Sequence, residues 1–302
     1  MSKPRPNFFI VGAPKCGTSA MHVYLSEHPR IYMSPRKEPH FFSDLGRERD
    51  VATLDEYLDL FKGAEGGDYL AIGEGSTTYL YVPGALEKIK EYDPNAKIVA
   101  MVRNPIAMIQ SLHSYNLWRL REDVEGFEEA WRLQGERKAG RRVPPRSVNP
   151  YHLQYGEIAK LGKQVQHLYK VFPREQVHIG FADDMRKDCR AAYDATLAFL
   201  NVPSDGRTEF PPVNEGRAHG KGSWISKRIM APPPALIKLA KAMGLTKKGL
   251  VMKGASKTTT TVEKKQEISP ELRAELADHF RDDVALLGDL TGRDLSGWLA
   301  AK

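Results

Sequence analysis

Residues 12–20, Gly-Ala-Pro-Lys-Cys-Gly-Thr-Ser-Ala, follow an apolar run at 8–11. A glycine-bounded loop carrying Lys15 and leading into the hydroxyls of Thr18 and Ser19 suits an anion. Backbone N–H groups, a helix N-terminus and one cation converge there. Gly12 and Gly17 have the spacing of a nucleoside-triphosphate loop, G-x-x-x-x-G-K-[ST], but Thr18 stands where that loop needs its lysine. The lysine lies inside the loop instead. This predicts a site for a short anionic ester rather than a triphosphate. Cys16, beside Lys15 and near a helix N-terminus, is either an acidified thiol or a small residue that fits the turn.

Two further groupings have the types that chemistry needs. Lys37-Glu38-Pro39-His40-Phe41-Phe42 sets a carboxylate and an imidazole close together, two side-chain types used in general acid–base chemistry. Phe41 and Phe42 predict an apolar wall that raises the basicity of Glu38. Arg103 follows the apolar run 97–102 and precedes Asn104-Pro105, with Ser111 eight residues on. An arginine at a strand's carboxyl end presents a planar fork to phosphate, and a serine on the next helix adds a hydroxyl.

Strands and helices must hold these groups in place. Apolar runs at 8–11, 69–72, 97–102 and 177–181 read as buried strands. Helical patterns separate them, at 18–27, 54–61, 83–91, from Pro105 onward, 151–169 and 189–200. A last helix at 270–290 has Ser269 as its N-cap. The alternation predicts an α/β fold with a central parallel sheet and helices on both faces. Segments 122–150 and 203–265 break the pattern and read as caps around an acceptor cleft within one domain spanning 1–302.

The bulk properties narrow the class. At 302 residues, with 41% hydrophobic and 27% charged residues, the chain has the composition of a globular protein. No apolar run is long enough to span a bilayer, and the N-terminus lacks a signal-peptide pattern, so a cytoplasmic location is expected. Two cysteines make no disulfide framework. A net charge of +7 suits an anionic ligand. No motif for reading nucleic acid is present, and no cluster has zinc-ligand spacing, so neither a nucleic-acid partner nor a metal is expected.

Pro14-Lys15-Cys16-Gly17-Thr18-Ser19 resembles the 5′-phosphosulfate loop of sulfotransferases that use 3′-phosphoadenosine 5′-phosphosulfate (PAPS). The strand–Arg103-Asn104-Pro105–Ser111 stretch resembles the same family's 3′-phosphate signature. Lys37-Glu38-x-x-Phe41-Phe42 is similar to the segment of heparan-sulfate-type and many bacterial members in which the glutamate is the general base. Gly73-Glu74-x-Ser76-x-x-Tyr79 and the ending 286–298 also resemble the family.

The resemblance implies a P-loop-like sulfotransferase fold and transfer of a sulfuryl group from PAPS to an acceptor hydroxyl, or less readily an amine. It assigns Lys15, Cys16, Gly17, Thr18, Ser19 and Ala20 to the 5′ end of the donor, and Arg103 and Ser111 to its 3′-phosphate. Arg217 and Lys221 fall in the place of the family's late nucleotide loop. Glu38 becomes the base, with His40 as its rival and His113 as a more distant candidate. The acceptor implied is a carbohydrate, glycolipid or small natural product. The alternative is a P-loop kinase or NTPase, against which the displaced lysine argues.

Overall fold

In the computed structural model the described residues are 3–43, 51–147, 149–213 and 267–300. Arg217, Lys221 and most of segment 203–265 lie outside them. Five strands form one parallel sheet: β1 (Phe8–Gly12), β2 (Ile31–Met33), β3 (Ala71–Gly75), β4 (Lys97–Val102) and β5 (Val177–Phe181), in the order β2-β3-β1-β4-β5. The predicted α/β class with a parallel sheet is what forms. β1 is central and wholly buried, as a continuous apolar run in a covered parallel sheet should be. With the chain turning back after β1 to place β3 on one side and β4 on the other, the crevice lies where those strands end.

Two strand readings need correction. β2 was not predicted, because three residues are too few to show a period. β3 was expected at 69–72 but runs Ala71–Gly75, through glycines and a glutamate of low strand propensity. Pairing overrides propensity there: Gly73 is flanked by β1 and β2, and Glu74 and Gly75 pair with β1. Gly73 is required, because a Cβ would come within 2.3 Å of the Phe8 ring.

Helices cover the sheet: α1 (Thr18–Ser26), α2 (Leu54–Asp59), α3 (Ala85–Tyr92), α4 (Pro105–Trp118), α5 (Phe127–Arg132), α6 (Gln134–Lys138), α7 (Tyr155–Ile158), α8 (Leu161–Val171), α9 (Ala182–Lys187), α10 (Cys189–Leu200) and α11 (Pro270–Thr291). Asn104 caps α4 through Ala107 N–H at 3.1 Å, with Pro105 in the first turn. Ser269 caps α11. The single helix expected over 151–169 is instead broken into the 3₁₀ turn Pro150–Leu153, α7 and α8. The break is fixed from outside. The carboxylate of Asp283 on α11 accepts from Gly162 N–H at 2.8 Å and Lys163 N–H at 2.9 Å, capping α8 across the interface. Gly162 lets the two backbones meet, since a Cβ would fall 2.2 Å from the Asp283 carbonyl.

Segment 122–150, read from the sequence as part of a cap, contains α5 and α6, and Phe127, Ala130 and Trp131 join the core. Arg137, fully buried, grips Glu122 with both terminal nitrogens, at 2.7 and 2.5 Å, and Tyr155 donates to the same carboxylate at 2.9 Å. Among the described residues no helix is long and apolar enough to cross a membrane.

Candidate active site

The loop after β1 carries the first group of residues. Gly12 is needed for packing, because a Cβ there would lie 2.7 Å from the Leu80 side chain. Lys15 has φ 63° and Gly17 φ 91°, so the chain turns through the left-handed region twice within three residues. Glycine accommodates this at position 17 without strain. Gly17 is the N-cap of α1 and provides no side chain to cap it, which leaves the helix N-terminus facing the loop. Thr18 is buried, while Ser19 and Ala20 are half-buried. The Ala20 N–H already donates to the Gly17 carbonyl at 3.0 Å.

Two elements brace the loop. Ala13 N–H donates to the Met101 carbonyl of β4 at 2.7 Å. Arg103, just beyond β4, donates through Nη1 to the Lys15 carbonyl at 3.1 Å. Its Nε is buried with no hydrogen-bond partner among the described residues. A buried guanidinium donor left open beside a helix N-terminus fits an anion. Burial pulls the Lys15 ammonium below its ordinary pKa, and the neighbouring Arg103 adds to this. The ammonium lies 4.8 Å over the Tyr115 ring of α4. Ser111, half-buried, lies on the same helix one turn before Tyr115.

The Cys16 thiol is not acidified. Burial pushes it up to about 12, against the lowering effect of Arg103 and Lys15, and Sγ points to the Pro14 carbonyl at 3.5 Å. It fills the turn as a buried residue.

The second group lies beyond β2. The Glu38 N–H donates to the Gly75 carbonyl at 2.9 Å, seating this stretch against the end of β3. Glu38 and His40 both have positive φ, 61° and 54°. The Glu38 carboxylate accepts from Lys37 Nζ at 2.8 Å and from the Thr77 hydroxyl at 3.0 Å, and lies 3.7 Å from His40 Nε2. Burial would raise its pKa, but His40 and Lys37 outweigh burial and hold the carboxyl well below the usual range. The expected rise in basicity is therefore reversed. The aromatic wall faces elsewhere: Phe41 stacks on Tyr57, and Phe42 packs among Phe9, Tyr57, Tyr79 and Tyr92. His40 Nδ1 pairs with the Thr78 hydroxyl at 2.9 Å.

The charges of Glu38, Lys37 and Arg103 all act on Lys15, so the two groups share one site. His113 does not join them. It is buried between Phe127 and Tyr155, with Nε2 on the Val124 carbonyl at 2.9 Å. Three residues near the site escaped the sequence reading. Thr77 lay within a recognised segment and was legible as a hydroxyl near a strand end. Tyr115, four residues past Ser111, was legible by helical spacing. Met185 of α9, whose sulfur would lie 3.2 Å from a Cβ at Gly17, comes from a distant segment and left no signal.

Comparison with known proteins agrees with this geometry. The profile of the sulfotransferase domain matches residues 5–210. Carbohydrate sulfotransferase 15 of Homo sapiens is 26% identical over 151 aligned residues, covering 36% of this chain and 27% of that protein. Bifunctional heparan sulfate N-deacetylase/N-sulfotransferase 3 of Homo sapiens is 26% identical over 202 residues, covering 65% of this chain and 22% of that protein. The match thus spans about a quarter of the length of these relatives. The crystal structure of a sulfotransferase from Alicyclobacillus acidocaldarius superposes with a TM-score of 0.72 at 29% identity, over 98% of this chain and 100% of that one. With the profile spanning the loop after β1, the Glu38 turn and the Arg103 strand end, this chain belongs to the sulfotransferase domain family.

Proposed function

We propose that this protein transfers a sulfuryl group from PAPS to a hydroxyl of an acceptor, a carbohydrate, glycolipid or small natural product. The observation that carries this reading is the contact between Arg103 and the Lys15 loop, with the open guanidinium Nε beside the N-terminus of α1. In this reading Thr18, Ser19 and the backbone of residues 12–20 hold the 5′-phosphosulfate. Arg103 and Ser111 hold the 3′-phosphate, with Arg217 and Lys221 contributing from outside the described residues.

The acceptor oxygen attacks sulfur. The bond from sulfur to the bridging phosphate oxygen breaks, and adenosine 3′,5′-bisphosphate leaves. Glu38 takes the acceptor's proton. Because Lys37 and His40 keep Glu38 ionised, it needs no prior deprotonation, but it gains basic strength only as those partners loosen. Lys15 stabilises the charge that grows on the leaving phosphate oxygen.

Calorimetric titration with adenosine 3′,5′-bisphosphate, without metal, tests the reading. Micromolar binding by the wild type that is lost in Arg103→Ala is expected. Absence of binding, alongside Mg²⁺-dependent binding of ATP, would overturn it in favour of a kinase.

A further inference from the structure

Glu74 is fully buried on β3, and both of its oxygens are occupied. Oε1 accepts from the Tyr79 hydroxyl at 2.7 Å and the Tyr57 hydroxyl at 3.3 Å, and Oε2 accepts from the Ser76 hydroxyl at 2.8 Å. A hydroxyl has one hydrogen. Ser76 and Tyr79 spend theirs on Glu74, so only their lone pairs face outward. The lone pairs of Ser76 receive the His40 N–H at 3.1 Å, and those of Tyr79 receive the Phe42 N–H at 3.3 Å. The turn carrying Glu38 and His40 thus hangs by two backbone amides from two hydroxyls that one buried carboxylate orients. Glu38 and His40 both sit at positive φ, a conformation that persists in side-chain-bearing residues only when the surroundings fix it.

We infer that Glu74 is a positioning residue, which holds the Glu38–His40 turn in its working shape through the hydroxyls of Ser76 and Tyr79. The inference rests on the reading of Glu38 as the base. Protonation of Glu74 weakens the arrangement, because three hydroxyls (Tyr57, Ser76 and Tyr79) then share a carboxyl with one acceptor fewer. A neutral carboxyl turns one oxygen into a donor, and one hydroxyl then loses the acceptor that oriented it. Burial raises the pKa of this carboxyl to about 7, so the loss falls close to neutrality. The titratable groups facing it are Tyr57 from α2, Tyr79 from the stretch after β3, and Lys37 from the turn itself. Both tyrosines are raised well above their ordinary range by burial, so neither competes in that window.

Amide hydrogen exchange, followed by NMR at pH 8, tests the hold directly. Glu74→Gln should accelerate exchange at both His40 and Phe42 and leave Val99 of β4 unchanged. Ser76→Ala should free His40 alone, and Tyr79→Phe should free Phe42 alone, which keeps the test valid if Glu74→Gln folds poorly. Unchanged exchange at His40 and Phe42 in these variants would overturn the inference. Turnover of PAPS with water as acceptor gives the functional readout. Glu74→Gln should lower kcat by about 10- to 100-fold, as loss of an orienting partner does elsewhere, with KM for PAPS unchanged. The acid limb near neutrality should vanish in that variant. Faster exchange with wild-type turnover and an unaltered pH profile would reduce Glu74 to a structural residue and overturn the inference. Wild-type turnover in Glu38→Gln would instead remove the base reading, while the exchange data still decide whether Glu74 holds the turn.

Discussion

Arg103 Nη1 donates to the main-chain carbonyl of Lys15 at 3.1 Å, so the residue after β4 holds the loop after β1 by its backbone. The arginine is thus part of the loop's frame, while its buried Nε has no hydrogen-bond partner among the described residues. Arg103→Ala should weaken adenosine 3′,5′-bisphosphate binding by about 10- to 100-fold, the scale of a charge-assisted bond, measured by calorimetry. Arg103→Lys should not restore it, since a point charge cannot brace the carbonyl and grip an anion together.

Lys15→Ala should lower turnover by about 10²- to 10³-fold, the usual effect of removing one preorganised donor to a developing oxyanion. Stopped-time assays with labelled PAPS at saturation would measure it. Loss of affinity without loss of saturated turnover would make Lys15 a binding residue only.

Glu38→Gln should lower turnover by about 10²- to 10⁴-fold. Lys37→Met tests the electrostatics of the same carboxyl. Removing the cation raises the pKa of Glu38, so the acid limb that Glu38 contributes should move to higher pH. The stability linked to Glu38 is present above the ordinary carboxylate pKa and is lost as pH falls below it. A pH–rate profile of the variant, read against wild type, gives the shift.

Glu74 has the opposite linkage. Its pKa is raised to about 7 in the folded protein, so the folded state holds a proton that the unfolded chain has released. Stability should therefore fall as pH rises from the ordinary carboxylate pKa through about 7, by up to about 3 kcal/mol. The difference in urea midpoint between wild type and Glu74→Gln, followed from pH 5 to 8, isolates this slope.

Arg137→Met should destabilise the protein by about 3–5 kcal/mol, because it strands the Glu122 carboxylate in the core. Glu122→Leu with Arg137→Met should recover most of the loss. Chemical denaturation of the single and double variants decides whether the pair is required or is exchangeable for apolar packing.

The strands and helices around the site were legible where the chain itself carries the signal. β1 and residues 98–102 of β4 are continuous apolar runs, β5 is apolar but for His178, and α4 announces itself with Asn104-Pro105. β3 was displaced because Gly73, Glu74 and Gly75 belong to a strand only through pairing with the central strand β1. The break before α8 was hidden because its cap, Asp283, is 121 residues from Gly162. At the site, Lys15, Glu38 and Arg103 were visible by type and spacing. The ionisation of Glu38 was not, because the Phe41 and Phe42 rings turn toward Tyr57 while Lys37 and His40 turn toward the carboxylate. Of the two readings of Cys16, the structure selects the residue that fits the turn over the acidified thiol. Proximity to Lys15 is apparent in the sequence, but the burial that outweighs it is not.

The strand order makes the sheet a ruler. β3, β1 and β4 are neighbours, and parallel strands lie about 4.8 Å apart. Glu74 and Thr77, the Lys15 loop and Arg103 are therefore mounted on three adjacent rails, about 10 Å from the first to the last. Changes in loop length can redirect a side chain but cannot alter that spacing. Diversification of such a site is thus confined to what is laid over the rails, while the spacing of Glu74, the Lys15 loop and Arg103 stays fixed by backbone pairing.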